Sequence, residues 1–389
     1  MKLFYLARID ISSEDANSRH VIEFCRHFSR LGNPVTLFLP DLGKRSQIEG
    51  VDLVYIPVLI RHSAITYFLF YCMLFLLFPY YCIKMKPDVV YTRHQQMEWI
   101  TTCLRFIFKF TYVAEVNGLS TVELKINGQP SWIIKLTGFV ERYCFRLANL
   151  IVTPAPKIRD FLIETYSLDP QIFIDVTNGA DPDVFYPMEQ LQCRKKLGLP
   201  EDACILLFSG SFKKWHGIDK VIRIFPEVIK TNPNAVLILV GDGEERQAMQ
   251  DHVKSNGLED KIRFLGRRPF NEIPEYINSA DLCLAPYFDP LLNETGISPI
   301  KIYEYMSCGK AIISSPVGGL ENLFQEYQVG MMVDSFDPED WAPALKTVLQ
   351  DPHQLKTWGD NGRKATLKTF SWEAICRTIA SAIETNGKL

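Results

Sequence analysis

Twice along this chain, apolar runs of strand length alternate with stretches of helical period, and that alternation restricts the fold more than any other feature. In the first half KLFYLA is followed by the amphipathic HVIEFCRHFSRLG, ending at Gly32, and then by PVTLFLP. LVYIPV, DVVYTR, TYVAEV and NLIVTPA continue the series. The second half repeats the scheme with ACILLFSG, AVLILVGDG, IRFLG, DLCLAPY and AIISS. Strands separated by helices pair in parallel and bury both faces, so each half is expected to form an α/β, doubly wound parallel sheet. A chain of 389 residues, 47% hydrophobic and 22% charged, is long enough and apolar enough for two such domains. The expected divisions are 1–180, 181–365 and a last helical piece, 366–389, around Trp372 to Thr385. The Pro- and Asp-rich stretch from Asn178 to Met188 reads as the hinge.

A formal net charge of −3 gives no global attraction to nucleic acid, so no nucleic-acid partner is expected and any attraction to phosphate must be local. Ten cysteines are scattered from Cys25 to Cys376 without a C-x-x-C pair, which suits reduced thiols in a cytoplasm. MKLFYLARID reads as a first strand and is interrupted by charge too soon for a signal peptide.

The segment 62–83 contains no Lys, Arg, Asp or Glu, and its length alone makes it a candidate span. LVYIPV before it and DVVYTRH after it both read as strands of one sheet, which makes it the crossover helix between them. Arg61, Lys84 and Lys86 flank both ends and give no orientation signal. Three readings stay open: a buried crossover, a crossover with one face in a lipid interface, and a true span. The second is preferred, and it implies peripheral contact with the inner face of a cell membrane.

The strongest local chemistry lies in Gly296-Ile297-Ser298-Pro299-Ile300-Lys301-Ile302-Tyr303-Glu304, continuing YMSCGKAIISS. Ser298 is expected to cap a helix whose first residue is Pro299, and Gly309 to end it. Lys301 and Glu304 then share one face, a turn from the helix's positive end. A diphosphate suits the free N–H groups and Lys301, and a ribose diol suits the Glu304 carboxylate. Those two groups are the constant part of a nucleotide-sugar.

At these residues the chain resembles a known family. SPIKIYEYMSCGKAI is similar to the donor-binding signature of glycosyltransferase family 4, retaining enzymes of GT-B architecture. VTNGADPDVFYP, FSGSFKKWHGIDKVI, LVGDGEER, SADLCLAPY and SPVGGLEN resemble further family segments in family order. The resemblance implies two Rossmann-like domains facing each other across a cleft, the first binding acceptor and the second donor, with the last helix crossing back. It also implies that the backbone of Gly296, Ile297 and Ser298, leading into Pro299 and Ile300, meets the donor phosphates.

Several positions depart from the family pattern. In the loop after ACILLFSG the usual cations are replaced by Ser211 and His216, with Lys213 and Lys214 between them and Gly210 just before. His216 with Lys301 is the expected pyrophosphate clamp, and Lys213 or Lys214 the substitute. Gly296 stands where many members carry a first glutamate; Glu294, two residues earlier, is the alternative. Asn117 replaces a His near the transferring sugar, and an amide takes no proton at neutral pH. Gly241 opens a Gly-Asp-Gly turn of the donor domain, and Arg267 stands at the base-binding loop. Glu123, Arg93 and His94 are further acceptor candidates, and Ser18 and Arg19 could present a helix N-terminus to phosphate. Asp181-Pro182-Asp183 matches a metal-binding D-x-D string but sits in the hinge, so neither a metal nor another cofactor is expected.

The expected function is metal-independent transfer of a hexose from a UDP- or GDP-linked donor to a hydroxyl of a glycan or lipid-linked acceptor, with retention. A nucleotide-sugar epimerase or hydrolase of the same architecture, and a non-catalytic sugar-nucleotide-binding scaffold, are the alternatives.

Overall fold

A computed structural model describes the chain except residues 14, 59–63, 95–101, 127, 290–291, 293–295 and 387–389. It divides into two compact units, 1–177 with 372–389, and 178–371. The chain thus returns to its first unit at Trp372.

Seven parallel strands form the first unit's sheet. They are β1 (Leu3–Leu6), β2 (Val35–Asp41), β3 (Val51–Pro57), β4 (Val89–Arg93), β5 (Thr111–Glu115), β6 (Leu150–Thr153) and β7 (Phe173–Asp175). Their order is β3-β2-β1-β4-β5-β6-β7. Leu3 pairs with both Val35 and Val89, so β1 is central and buried throughout. The order reverses between β1 and β4, which opens a crevice at the carboxyl ends of those strands.

Helices cover both faces of this sheet. Helix Ala16–Arg30 places Val21, Phe24, Cys25 and Phe28 on the core at helical spacing. Helix Trp372–Asn386 packs beside it through Ile375, Ile379 and Ile383, with the Trp372 ring edge-on to His20. On the other face, helix Ala64–Met85 sends Phe70, Leu74, Phe78 and Cys82 into the core at four-residue intervals. Its stretch Phe68–Met85 has a mean hydropathy of 1.7, enough by length and composition to cross a membrane. Yet β3 and β4, which it joins, lie in one sheet, so it serves as a crossover and leaves its opposite face exposed.

The second unit holds six parallel strands: β8 (Cys204–Ser209), β9 (Ala235–Val240), β10 (Ile262–Gly266), β11 (Leu282–Ala285), β12 (Ile312–Ser314) and β13 (Gly330–Met332). Their order is β10-β9-β8-β11-β12-β13, so the reversal falls between β8 and β11. β8, β9, β11 and β12 are almost wholly buried, as continuous apolar runs demand.

Candidate functional site

The second unit's reversal point gathers the loop after β8, the turn after β9, the segment after β11 and helix Ile300–Ser307. The Tyr305 hydroxyl accepts the Ser209 N–H at 2.9 Å, which registers that helix against the end of β8. Asn178 secures the segment before the helix: its N–H donates to the Ser298 hydroxyl at 2.8 Å and its amide to the Ser298 carbonyl.

Ser298 does not cap the helix. The structure starts the helix at Ile300, with Pro299 in the cap position and no side chain capping it. Asn178 and the Tyr303 hydroxyl, 3.2 Å away, engage the Ser298 hydroxyl instead. The N–H groups of Gly296 and Ile297 are bonded to the Leu292 and Gly318 carbonyls, so neither is free for a phosphate. The backbone that could meet an anion is therefore the positive helix end at Ile300 and Lys301. Gly309, in the left-handed region, ends the helix with N–H donation from Gly309 and Lys310 to Met306 and Tyr305.

Lys301 is the dominant electrostatic feature. Its ammonium lies 3.9 Å from the centre of the Phe208 ring and 5.8 Å from that of Tyr287. It is buried and has no hydrogen-bond partner among the described residues. Burial pushes its pKa down to about 7, against a smaller opposing effect of the Glu304 carboxylate. Phe208 is the last apolar residue of strand β8 and Tyr287 follows β11, so the two central strands supply the walls. Gly210 makes the space: a Cβ there would lie 2.6 Å from the Lys301 nitrogen. Gly241 supports Gly210 from behind, since a Cβ on Gly241 would meet the Gly210 carbonyl oxygen at 1.8 Å. Its place in the site is thus under the loop.

Burial works against the cationic role expected of His216. Its ring is buried, and Nδ1 faces the Ser211 carbonyl, an acceptor, so Nδ1 carries the proton. Burial, then the charges of Lys301 and Lys213, push its pKa down to about 2 despite that bond. In the unliganded protein His216 is thus held neutral, and Lys301 is the cation beside it. The His216 Nε2 is left as an acceptor. The Ser211 hydroxyl is 3.4 Å from Nδ1. Lys213 and Lys214 are exposed, as is Arg267, whereas the adjacent Arg268 lies 5.8 Å from the Tyr276 ring centre. Glu304 is partly buried one turn beyond Lys301, and Glu294 lies outside the described residues. Asp181 accepts the Asp183 N–H at 2.9 Å, an ordinary turn bond.

In the first unit, the corresponding strand ends carry a different constellation. Asn117 donates its amide to Glu115, at the end of β5. Glu115 also accepts from the Tyr5 hydroxyl at 3.0 Å and lies 2.8 Å from His20 Nε2. Burial alone would raise the Glu115 pKa, but His20, Arg93 and the Asn117 amide hold it well below the usual carboxylate range. His94 is a core residue, 3.2 Å from Glu141 and packed on Phe145. Arg93 is bound to Asn17. Ser18 and Arg19 do not present a free helix end, because Asp15 caps helix Ala16–Arg30 and places a carboxylate there.

Sequence reasoning missed Phe208, Tyr287 and Trp215, the rings around Lys301 and His216. Trp215 contacts His216 at 3.8 Å and stacks with Tyr287 at 6.1 Å between ring centres. The available signal was an aromatic residue at or just beyond the end of each central strand, Phe208 in β8 and Tyr287 two residues after β11.

Comparison with known proteins bears on the same regions. The sequence model of "Glycosyl transferases group 1" matches residues 189–365, and that of "Glycosyltransferase Family 4" matches residues 18–184. A D-inositol 3-phosphate glycosyltransferase 2 of Catenulispora acidiphila is 27% identical over 266 residues, 66% of this chain and 60% of that protein. A second D-inositol 3-phosphate glycosyltransferase, from Stackebrandtia nassauensis, is 28% identical over 52% of this chain and 47% of its own length. The chain therefore spans about half to three fifths of the length of these two relatives. Among solved structures, sucrose-phosphate synthase from Thermosynechococcus elongatus has a TM-score of 0.82 at 20% identity, covering 99% of this chain and 98% of that one. Such identity speaks for the fold alone, which is the GT-B architecture of two Rossmann-like domains. With one family model on each half of the sequence and the family's motifs around Lys301, this chain belongs to glycosyltransferase family 4, of the group 1 type.

Proposed function

We propose that this protein transfers a hexose, with retention and without a metal ion, from a UDP- or GDP-linked donor to a hydroxyl of a glycan or lipid-linked acceptor. The observation that carries the reading is the buried Lys301 ammonium at the start of helix Ile300–Ser307, without a hydrogen-bond partner among the described residues. An unneutralised buried cation is costly, and an anion arriving at it recovers that cost. Here the anion is the donor diphosphate, met by Lys301 and the helix N-terminus. Glu304 accepts from the ribose diol, and His216 Nε2 accepts from a hydroxyl of the donor sugar.

As the glycosidic bond breaks, its electron pair passes to the diphosphate oxygen, and Lys301 stabilises that charge. The acceptor hydroxyl attacks the anomeric carbon from the face the diphosphate is leaving, and gives its proton to a diphosphate oxygen. No strong protein base is then required, which fits Asn117 where other family members carry a His. A lipid-linked acceptor would bring the first unit to the inner face of the cell membrane, with helix Ala64–Met85 offering its exposed face to the bilayer. This reading makes the protein a cytoplasmic, peripheral enzyme.

A thermal-shift panel of UDP, GDP, ADP and their sugars, with and without EDTA, tests it. A selective rise with one base, unchanged by EDTA, is expected. A rise abolished by EDTA would sink metal independence, and no rise with any nucleotide would sink the donor site.

A further inference from the structure

Helix Ser131–Leu147 is amphipathic the wrong way round for a crossover helix. Trp132, Leu136, Phe139 and Tyr143 recur at helical spacing within about 60° of arc. All four are exposed, Trp132 at 68% and Phe139 at 72%. The face turned to the core instead carries Thr137, Glu141, Cys144 and Phe145. Glu141 is satisfied there by His94 and the Tyr166 hydroxyl. Lys135, Arg142 and Arg146 run along one flank of the exposed stripe, and all three are exposed.

The stripe has apolar neighbours on the same side of the sheet. Helix Ala64–Met85, the short turn Cys103–Phe106 and helix Ser131–Leu147 all contribute to one core cluster, so their outer faces look away from the same sheet surface. Arg105 of the turn donates to the Leu147 carbonyl, and Phe110, four residues past the turn, meets Phe78 of helix Ala64–Met85 ring to edge. Phe106, Ile107, Leu76, Tyr80 and Ile83 extend the exposed apolar surface. The charged side chains of these three segments, apart from the buried Glu141, are all basic.

From this surface we infer that the outer face of helix Ser131–Leu147 docks into the interface of a bilayer containing anionic phospholipid, with Trp132, Leu136, Phe139 and Tyr143 among the acyl chains and Lys135, Arg142 and Arg146 on the phosphates. Tryptophan and tyrosine favour the boundary between headgroups and acyl chains, where a ring is buried and its polar edge stays wet. Basic residues beside an apolar stripe draw such a helix to anionic lipid. A second copy of this chain is the poorer occupant. A two-fold interface sets each patch against itself, and it would bring two basic flanks together. The inference requires neither the proposed donor nor the proposed acceptor.

Vesicle co-sedimentation of the full chain tests it. Vesicles of phosphatidylcholine alone are compared with vesicles also containing phosphatidylglycerol, at low and high salt. The protein is expected to pellet with the anionic vesicles and to be released by salt. Trp132→Ser with Phe139→Ser should weaken partitioning about tenfold or more. Lys135→Gln, Arg142→Gln and Arg146→Gln together should weaken it about 10²-fold on anionic vesicles only. Unfolding curves like those of the parent show that each variant is intact. Failure of the parent to pellet, or equal binding by the Trp132/Phe139 variant, overturns the inference. So does a parent dimer in sedimentation velocity that this variant abolishes.

Discussion

The two units place a buried charge near the same topological point of their sheets, and they treat it in opposite ways. In the first, Glu115 at the end of β5 is surrounded by His20, the Tyr5 hydroxyl and the Asn117 amide, and its negative charge is compensated within the fold. In the second, the Lys301 ammonium is held between Phe208 and Tyr287 with no polar partner among the described residues. A satisfied buried charge is part of the framework, and removing one partner damages folding. An unsatisfied one is a cost carried by the empty protein and recovered when a ligand of opposite charge arrives. The contrast separates a structural ion pair from a binding site without reference to sequence relatives.

The largest expected effect concerns the first unit. Glu115→Ala leaves His20, Tyr5 and Asn117 without their common acceptor and should destabilise the protein by about 3–5 kcal/mol in denaturant titrations. Because the Glu115 pKa is lowered in the folded state, its contribution is complete above about pH 4.3 and is lost as the pH falls below that. A variant as stable as the parent would remove the framework half of the comparison.

Lys301→Met should do the reverse, lowering turnover about 10²–10³-fold while the unliganded protein remains at least as stable. Near-normal turnover would transfer charge stabilisation to Lys213 or Lys214. Glu304→Ala is expected to weaken nucleotide diphosphate binding by about 1.5–3 kcal/mol in calorimetry. Unchanged binding in the folded variant would remove Glu304 from the site.

A smaller, sharper test uses pH. In the folded protein Lys301 loses its proton above about 7, whereas in the unfolded chain it keeps it to about 10.4. Between those values the unfolded state binds more protons, so stability should rise with pH relative to Lys301→Met, by at most about 1.4 kcal/mol per pH unit. Below pH 7 both states are protonated and the penalty is constant. A diphosphate holds the proton on Lys301, so nucleotide affinity should fall above pH 7 in the parent and show no such fall in Lys301→Met. Parallel profiles for parent and variant would show that Lys301 is already neutralised.

The strand pattern was legible wherever a strand lies inside its sheet. β1, β4, β5, β8, β9 and β11 are apolar because both faces are covered, and that requirement is written in consecutive residues. The two strands absent from the sequence reading, β7 and β13, are the three-residue edges FID and GMM. An edge strand so short carries no period of its own, and its neighbour's open hydrogen bonds place it. Lys301, Glu304, Gly210 and Ser298 stood out because a helix start after Ser-Pro and a glycine after a strand are local signals. The charge state of His216 was not local: burial, Lys301 and the Ser211 carbonyl decide it together.

The sequence by itself determined two doubly wound halves and a lysine and glutamate on one helical turn, because period and spacing act over a few residues. Tertiary structure decided which charges stay unpaired. Phe208 and Tyr287 surround Lys301 with rings, leaving it no hydrogen-bond partner among the described residues, while His20 of helix Ala16–Arg30 reaches Glu115 at the end of β5. It also decided that the apolar stripe of helix Ser131–Leu147 faces water. Periodicity defines a face of a helix, but only the packing of Cys144 and Phe145 on the sheet says which face is turned outward.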